Sequence, residues 1–141
     1  MKNPVVGFVG MTHLGLVSAT AVASRGFTTL CYDPDAPLIA RLQAGDLPVN
    51  EPGLDALLLE NGDRQTFTAD IAEIGRCDVV YIAADVPTDD AGRSDLSGIR
   101  RLIDAVVAAL GPEALLVILC QVPPGFTRAL AAPPLERRYY Q

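Results

Sequence analysis

The chain has 141 residues, half of them hydrophobic and a fifth charged, which fits one compact domain with a real core and excludes bulk disorder. A formal net charge of −6 leaves no basic excess for nucleic acid or an anionic membrane, and no apolar run approaches the length of a membrane span. Neither property opposes a nucleotide ligand, which backbone N–H groups can hold.

The elements follow in chain order. Residues 5–9 form a short apolar run that reads as a strand. It is too short for a signal-peptide core and runs into a glycine turn, so the expected compartment is the cytoplasm. Residues 13–25 are small and apolar and read as a helix packed closely on a sheet. Residues 28–32, entered through Gly26, read as the second strand. A second helix is expected over 36–44, with Pro37 in its first turn and Gly45 ending it. A third follows over 53–59, after Pro52. A weak strand over 65–68 and a short helical turn over 70–74 precede a Val- and Ile-rich strand over 78–83. In 97–110, Ile99, Leu102, Ile103, Val106, Val107 and Leu110 recur at helical spacing. Asp95 or Ser97 is the expected cap, and Gly111-Pro112 the stop. Residues 115–120 form the fifth strand.

Continuous apolar strands alternating with helices imply βαβ units with strands buried on both faces. The expected fold class is therefore α/β, a single-domain doubly wound parallel sheet. Residues 1–132 form the expected dinucleotide-binding domain, and 133–141, opening with Pro133-Pro134, a tail leading to a missing central or substrate domain. Cys31, Cys77 and Cys120 lie far apart without metal-type spacing and read as buried, reduced thiols. No metal is expected.

The chemistry concentrates at Gly10-Met11-Thr12-His13-Leu14-Gly15, between the first strand and the first helix. A dinucleotide-binding turn uses its first glycine for the bend, its second for close approach of the diphosphate and its third for helix–strand packing. Gly10 and Gly15 fill the outer roles, and Thr12 holds the middle one. A β-branched residue there resists φ > 0 and puts a side chain where backbone should meet the diphosphate. Its hydroxyl could offset this by donating to a phosphate oxygen. The turn alone could equally be a tight bend that binds nothing. Asp33, at the end of the second strand, is placed to accept hydrogen bonds from adenosine ribose hydroxyls and to repel a 2′-phosphate, although a turn or cap role is open to it as well. Turn, spacing and acid together give a Rossmann-like reading with NAD rather than NADP. His13, the one histidine in the sequence, is expected at the mouth of the turn or facing solvent.

On these residues the chain resembles the N-terminal NAD-binding domain of the UDP-glucose/GDP-mannose dehydrogenases. The likeness continues through Glu51-Pro52-Gly53-Leu54, the run from Asp78 to Ala83 with Pro87-Thr88, Asp95-Leu96-Ser97, and Cys120-Gln121-Val122-Pro123-Pro124-Gly125. The resemblance implies a cofactor site of Gly10, Met11, Thr12, His13, Leu14, Gly15, Asp33, Val86, Pro87 and Gln121, with no catalytic residue. For the full-length protein it implies oxidation of the C6 alcohol of a nucleotide sugar to a carboxylate, in two hydride transfers to NAD. A nucleophilic Cys later in the chain would assist, so the 141-residue chain alone is expected to be inactive. A nucleotide sugar is the expected partner of the whole protein, nucleic acid and membrane are not, and a homo-oligomer is left open. Thr12, Leu38, Val86, Cys120 and Gln121 depart from the family pattern, each removing a donor or adding bulk near the cofactor. They motivate the alternative of a degenerate Rossmann module with a binding or interaction role and no redox activity. A 3-hydroxyacid or 6-phosphogluconate-type dehydrogenase is the third reading, against which Glu51-Pro52-Gly53-Leu54 weighs. Glu51 itself could equally belong to a helix cap.

Overall fold

The computed structural model describes residues 2–130. Five strands, β1 (Val6–Val9), β2 (Thr29–Tyr32), β3 (Gln65–Thr68), β4 (Val79–Ile82) and β5 (Leu115–Ile118), form one sheet in the order β3-β2-β1-β4-β5. Every pairing is parallel, with Val9 opposite Tyr32 on one side and Ile82 on the other. All residues of β1 and β2 are buried, as their unbroken apolar runs require. The strand order reverses direction at β1, which opens a crevice at the carboxyl edge beside it.

Helices α1 (His13–Ser24), α2 (Ala36–Gln43) and α3 (Leu54–Glu60) contribute to one core cluster, with Val6, Phe8, Leu16, Ala19, Ile39 and Leu54 at its centre. Buried Ala19 and Ala23 let α1 approach the sheet closely. The second cluster unites Val9, Leu30, Val80 and Ile82 with Ile99, Ile103 and Val106 of α4 (Ser97–Ala109) and Ile74 of a 3-10 helix, Ile71–Arg76. Gly7 lets this layer close: a Cβ there would stand 2.8 Å from the Cys77 sulfur.

The doubly wound parallel α/β expectation holds. Three local expectations need correction. The cap of α4 is Leu96, which makes no side-chain cap bond. Asp95 sits one residue earlier, accepting from the Ser97 amide at 3.0 Å and the Ser97 hydroxyl at 2.7 Å, and these two bonds hold its carboxyl below the usual carboxylate range. Residue 53 is the cap of α3 rather than its first residue. A one-turn helix, α5 (Phe126–Ala129), escapes sequence reading because four residues cannot display a helical period. Residues 133–141, the expected tail, lie outside the described residues, so the boundary at 132 is not visible in the fold.

Candidate cofactor site

The turn between β1 and α1 is held from two sides. Gly10 adopts φ 96°, and a Cβ on it would lie 2.8 Å from the backbone of Ala84, so only glycine fits. A Cβ on Gly15 would collide with the Gly10 carbonyl oxygen. Both outer glycines thus have the steric reason the motif assigns them. Toward β2, the Met11 amide donates to Asp33 Oδ2 at 2.8 Å. The other oxygen of Asp33 accepts from the Asp35 amide at 2.9 Å. Each carboxylate oxygen has two lone pairs, so both retain acceptor capacity for a sugar hydroxyl.

Thr12 departs from what its residue type suggests. Its backbone is extended, at φ −70° and ψ 175°, so the middle position carries no left-handed strain. Its Oγ1 donates to the Ala83 carbonyl at 2.7 Å and accepts from the Gly15 amide at 3.2 Å, which makes Thr12 the N-cap of α1. A hydroxyl has a single proton, and this one goes to Ala83 rather than to the mouth of the turn. Among the described residues, the amides of Thr12, His13 and Leu14 have no acceptor. His13 and Leu14 are exposed at the positive end of α1.

His13 faces solvent and also makes a contact that residue types do not reveal. Its Nε2 lies 3.1 Å from Glu51 Oε2, with the two side chains 58% and 42% exposed. Glu51 is not the cap of α3; Gly53, at φ 82°, is. The Leu54 amide closes a turn on the Glu51 carbonyl at 3.1 Å, and Leu54 is buried beneath α1. Glu51-Pro52-Gly53-Leu54 therefore docks α3 on α1 and carries a carboxylate to the open end of the glycine turn.

The remaining expected residues reach the same sheet edge. The Ala83 amide donates to the Val9 carbonyl at 2.8 Å, and the loop after β4 carries Val86 and Pro87 from there. Val86 turns partly inward against the core, whereas Pro87 is exposed. Gln121, exposed, follows β5, whose Ile118 is opposite Ile82. Leu38, partly buried, packs against the α1-side core, and its amide is capped by Asp35 at 3.1 Å. A shallow cavity of about 250 Å³ lies beside the loop after β4, lined by Asp85, Pro87, Asp95 and Arg101, and includes no residue of the glycine turn. Ala83, the acceptor that anchors Thr12, carries no signal in the sequence.

Cys31 and Cys77 are buried and Cys120 is partly buried. Burial pushes the Cys31 thiol up to about 12 and the Cys77 thiol to about 11, and raises Cys120 as well. All three are free. Among the described residues no group of three His, Cys, Asp or Glu side chains could hold a metal ion, and no helix is long and apolar enough to cross a membrane.

Known proteins are similar to this chain in sequence and fold. The chain is 35% identical over 120 residues to the UDP-glucose 6-dehydrogenase of Pseudomonas aeruginosa, covering 83% of this chain and 26% of that one. It is 33% identical over 123 residues to UDP-glucose 6-dehydrogenase TuaD of Bacillus subtilis, covering 85% and 27%. The solved UDP-glucose dehydrogenase of Pyrobaculum islandicum superposes with a TM-score of 0.80 at 27% identity, over 88% of this chain and 30% of that one. The chain thus spans about a quarter of the length of the curated relatives it matches. Residues 5–140 match the model of the UDP-glucose/GDP-mannose dehydrogenase family, NAD binding domain, and the chain belongs to that family as its NAD-binding domain.

Proposed function

We propose that NAD binds across the carboxyl edge of the sheet, at Gly10, Met11, Thr12, His13, Leu14, Gly15 and Asp33, with Val86, Pro87 and Gln121 flanking it. The observation that carries this reading is the coincidence of two things at one turn. The exposed amides of His13 and Leu14 have no acceptor among the described residues, and Asp33, one strand over, is already bonded to the turn through Met11. Open amides at a helix start suit a diphosphate. The Asp33 carboxylate suits ribose hydroxyls and opposes a 2′-phosphate, with Asp35 adding a second negative charge nearby. NAD supplies the hydride acceptor; the chain's own part is to bind and orient it.

For the full-length protein the reading is a nucleotide-sugar 6-dehydrogenase that oxidises a C6 alcohol to a carboxylate. The 141-residue chain is inactive by itself on this reading. Its thiols are raised by burial, and the thiolate needed to trap an aldehyde must come from elsewhere. Residues 1–132 make up the cofactor domain, and 133–141 lead toward the substrate domain. Free cysteines fit a cytoplasmic location, and a homo-oligomer fits the full-length protein.

Titration of the purified chain with NAD and NADP tests the reading. Saturable NAD binding with clearly weaker NADP binding is expected. No saturable NAD binding at millimolar ligand would favour a module without redox function. Hydride transfer by the chain alone, with any nucleotide sugar, would overturn the expected inactivity.

A further inference from the structure

We infer that Thr12 is a positioning residue for the cofactor, a role that rests on the binding reading above. Its hydroxyl clamps the start of α1 to the end of β4, and so holds the His13 and Leu14 amides open toward the diphosphate.

The clamp is built from two hydrogen bonds of opposite sense. The proton of Oγ1 goes to the Ala83 carbonyl at 2.7 Å, a short bond spanning 71 residues of sequence. A lone pair receives the Gly15 amide at 3.2 Å. Ala83 is buried, and its own amide is bonded to the Val9 carbonyl at 2.8 Å. Thr12 therefore fastens the helix start to the rigid β1–β4 pair. Glycine at position 12 would lack both bonds, would leave the Gly15 amide open, and would let the turn sample more conformations before a ligand arrives. Ordering that turn in advance lowers what the ligand must order on binding. The extended backbone of Thr12 means that this side chain is accommodated without strain. The substitution of the middle glycine thus exchanges adaptability for a fixed donor set.

The test compares Thr12→Ser, Thr12→Val and Thr12→Gly in the intact chain. NAD affinity is measured by calorimetry, and adenosine binding by NMR shift changes. Ser keeps both bonds, and its NAD affinity should stay within about twofold of wild type. Val keeps the shape but neither bond. It should bind NAD about tenfold more weakly, the loss expected of one to two ordinary hydrogen bonds, with adenosine affinity unchanged. Gly should also weaken NAD binding. Wild-type affinity in Thr12→Val, tighter binding in Thr12→Gly, or equal losses on NAD and adenosine would each overturn the role. Amide exchange of the wild-type chain covers the case of a variant that does not fold. The Gly15 amide should exchange more slowly than those of His13 and Leu14, and NAD should slow the latter two. Equal exchange at all three overturns the role. Failure of the wild type to bind NAD would remove the binding reading and the Thr12 role together, whereas intact wild-type binding with unaffected variants removes the Thr12 role alone.

Discussion

The Met11 amide donates to Asp33 Oδ2 at 2.8 Å, across 22 positions of sequence. The residue expected to hold the ribose thus also shapes the turn expected to hold the diphosphate. This bond joins the two halves of the proposed cofactor site.

Replacing Asp33 should therefore act twice. Asp33→Ala is expected to weaken NAD binding by about 1–3 kcal/mol, the range for losing a charged hydrogen-bond partner. It should also lower the melting temperature, because the Met11 amide loses its acceptor. Calorimetry with NAD and a thermal melt measure the two effects. Unchanged NAD affinity would reduce Asp33 to a turn residue.

Gly10→Ala is expected to destabilise the chain by about 2–3 kcal/mol. The positive φ disfavours any side chain, and the added Cβ meets the Ala84 backbone, which cannot swing aside as a flexible side chain could. Urea denaturation gives the value. A loss below about 0.5 kcal/mol would mean that the turn is looser than its geometry implies.

Thiol chemistry gives a prediction in pH. Cys31 and Cys77 are pushed up from an ordinary value of 9.0 to about 12 and about 11 by burial. A group raised in the folded state contributes stability that is complete below its unfolded pKa and is lost as pH rises through the folded one. The denaturation midpoint should thus fall between pH 9 and about 11 to 12. At pH 8, a thiol reagent should reach Cys120 in the native chain well before Cys31 or Cys77, and all three after denaturation. Rapid native labelling of Cys31 would contradict its burial.

The His13–Glu51 contact is expected to contribute little stability. Both side chains are about half exposed, so Glu51→Ala should change the unfolding free energy by less than about 1 kcal/mol. A larger loss in chemical denaturation would show that Glu51 holds the α1–α3 packing together, a task the structure gives to buried Leu54.

Periodicities, and the places where a side chain cannot go, are legible along the chain. The buried parallel strands follow from unbroken apolar runs, and α4 from Ile99, Ile103 and Val106 at helical spacing. The bend at Gly10 follows from glycine's freedom at positive φ, and the need for Gly15 from the lack of room for a side chain beside Gly10, because both are local properties read along the chain. The contacts of Thr12 and Glu51 come from the fold and not from local sequence. Residue type alone suggests strain and a phosphate donor for Thr12, and a cap for Glu51. The fold instead gives Thr12 a carbonyl 71 residues away, and brings Glu51 to His13 across 38 residues. Those partners exist because β1 pairs with β4 and α3 packs on α1. A hydroxyl or carboxylate bonds to whatever the sheet register and helix packing carry within about 3 Å of it, and no periodicity along the chain encodes that distance.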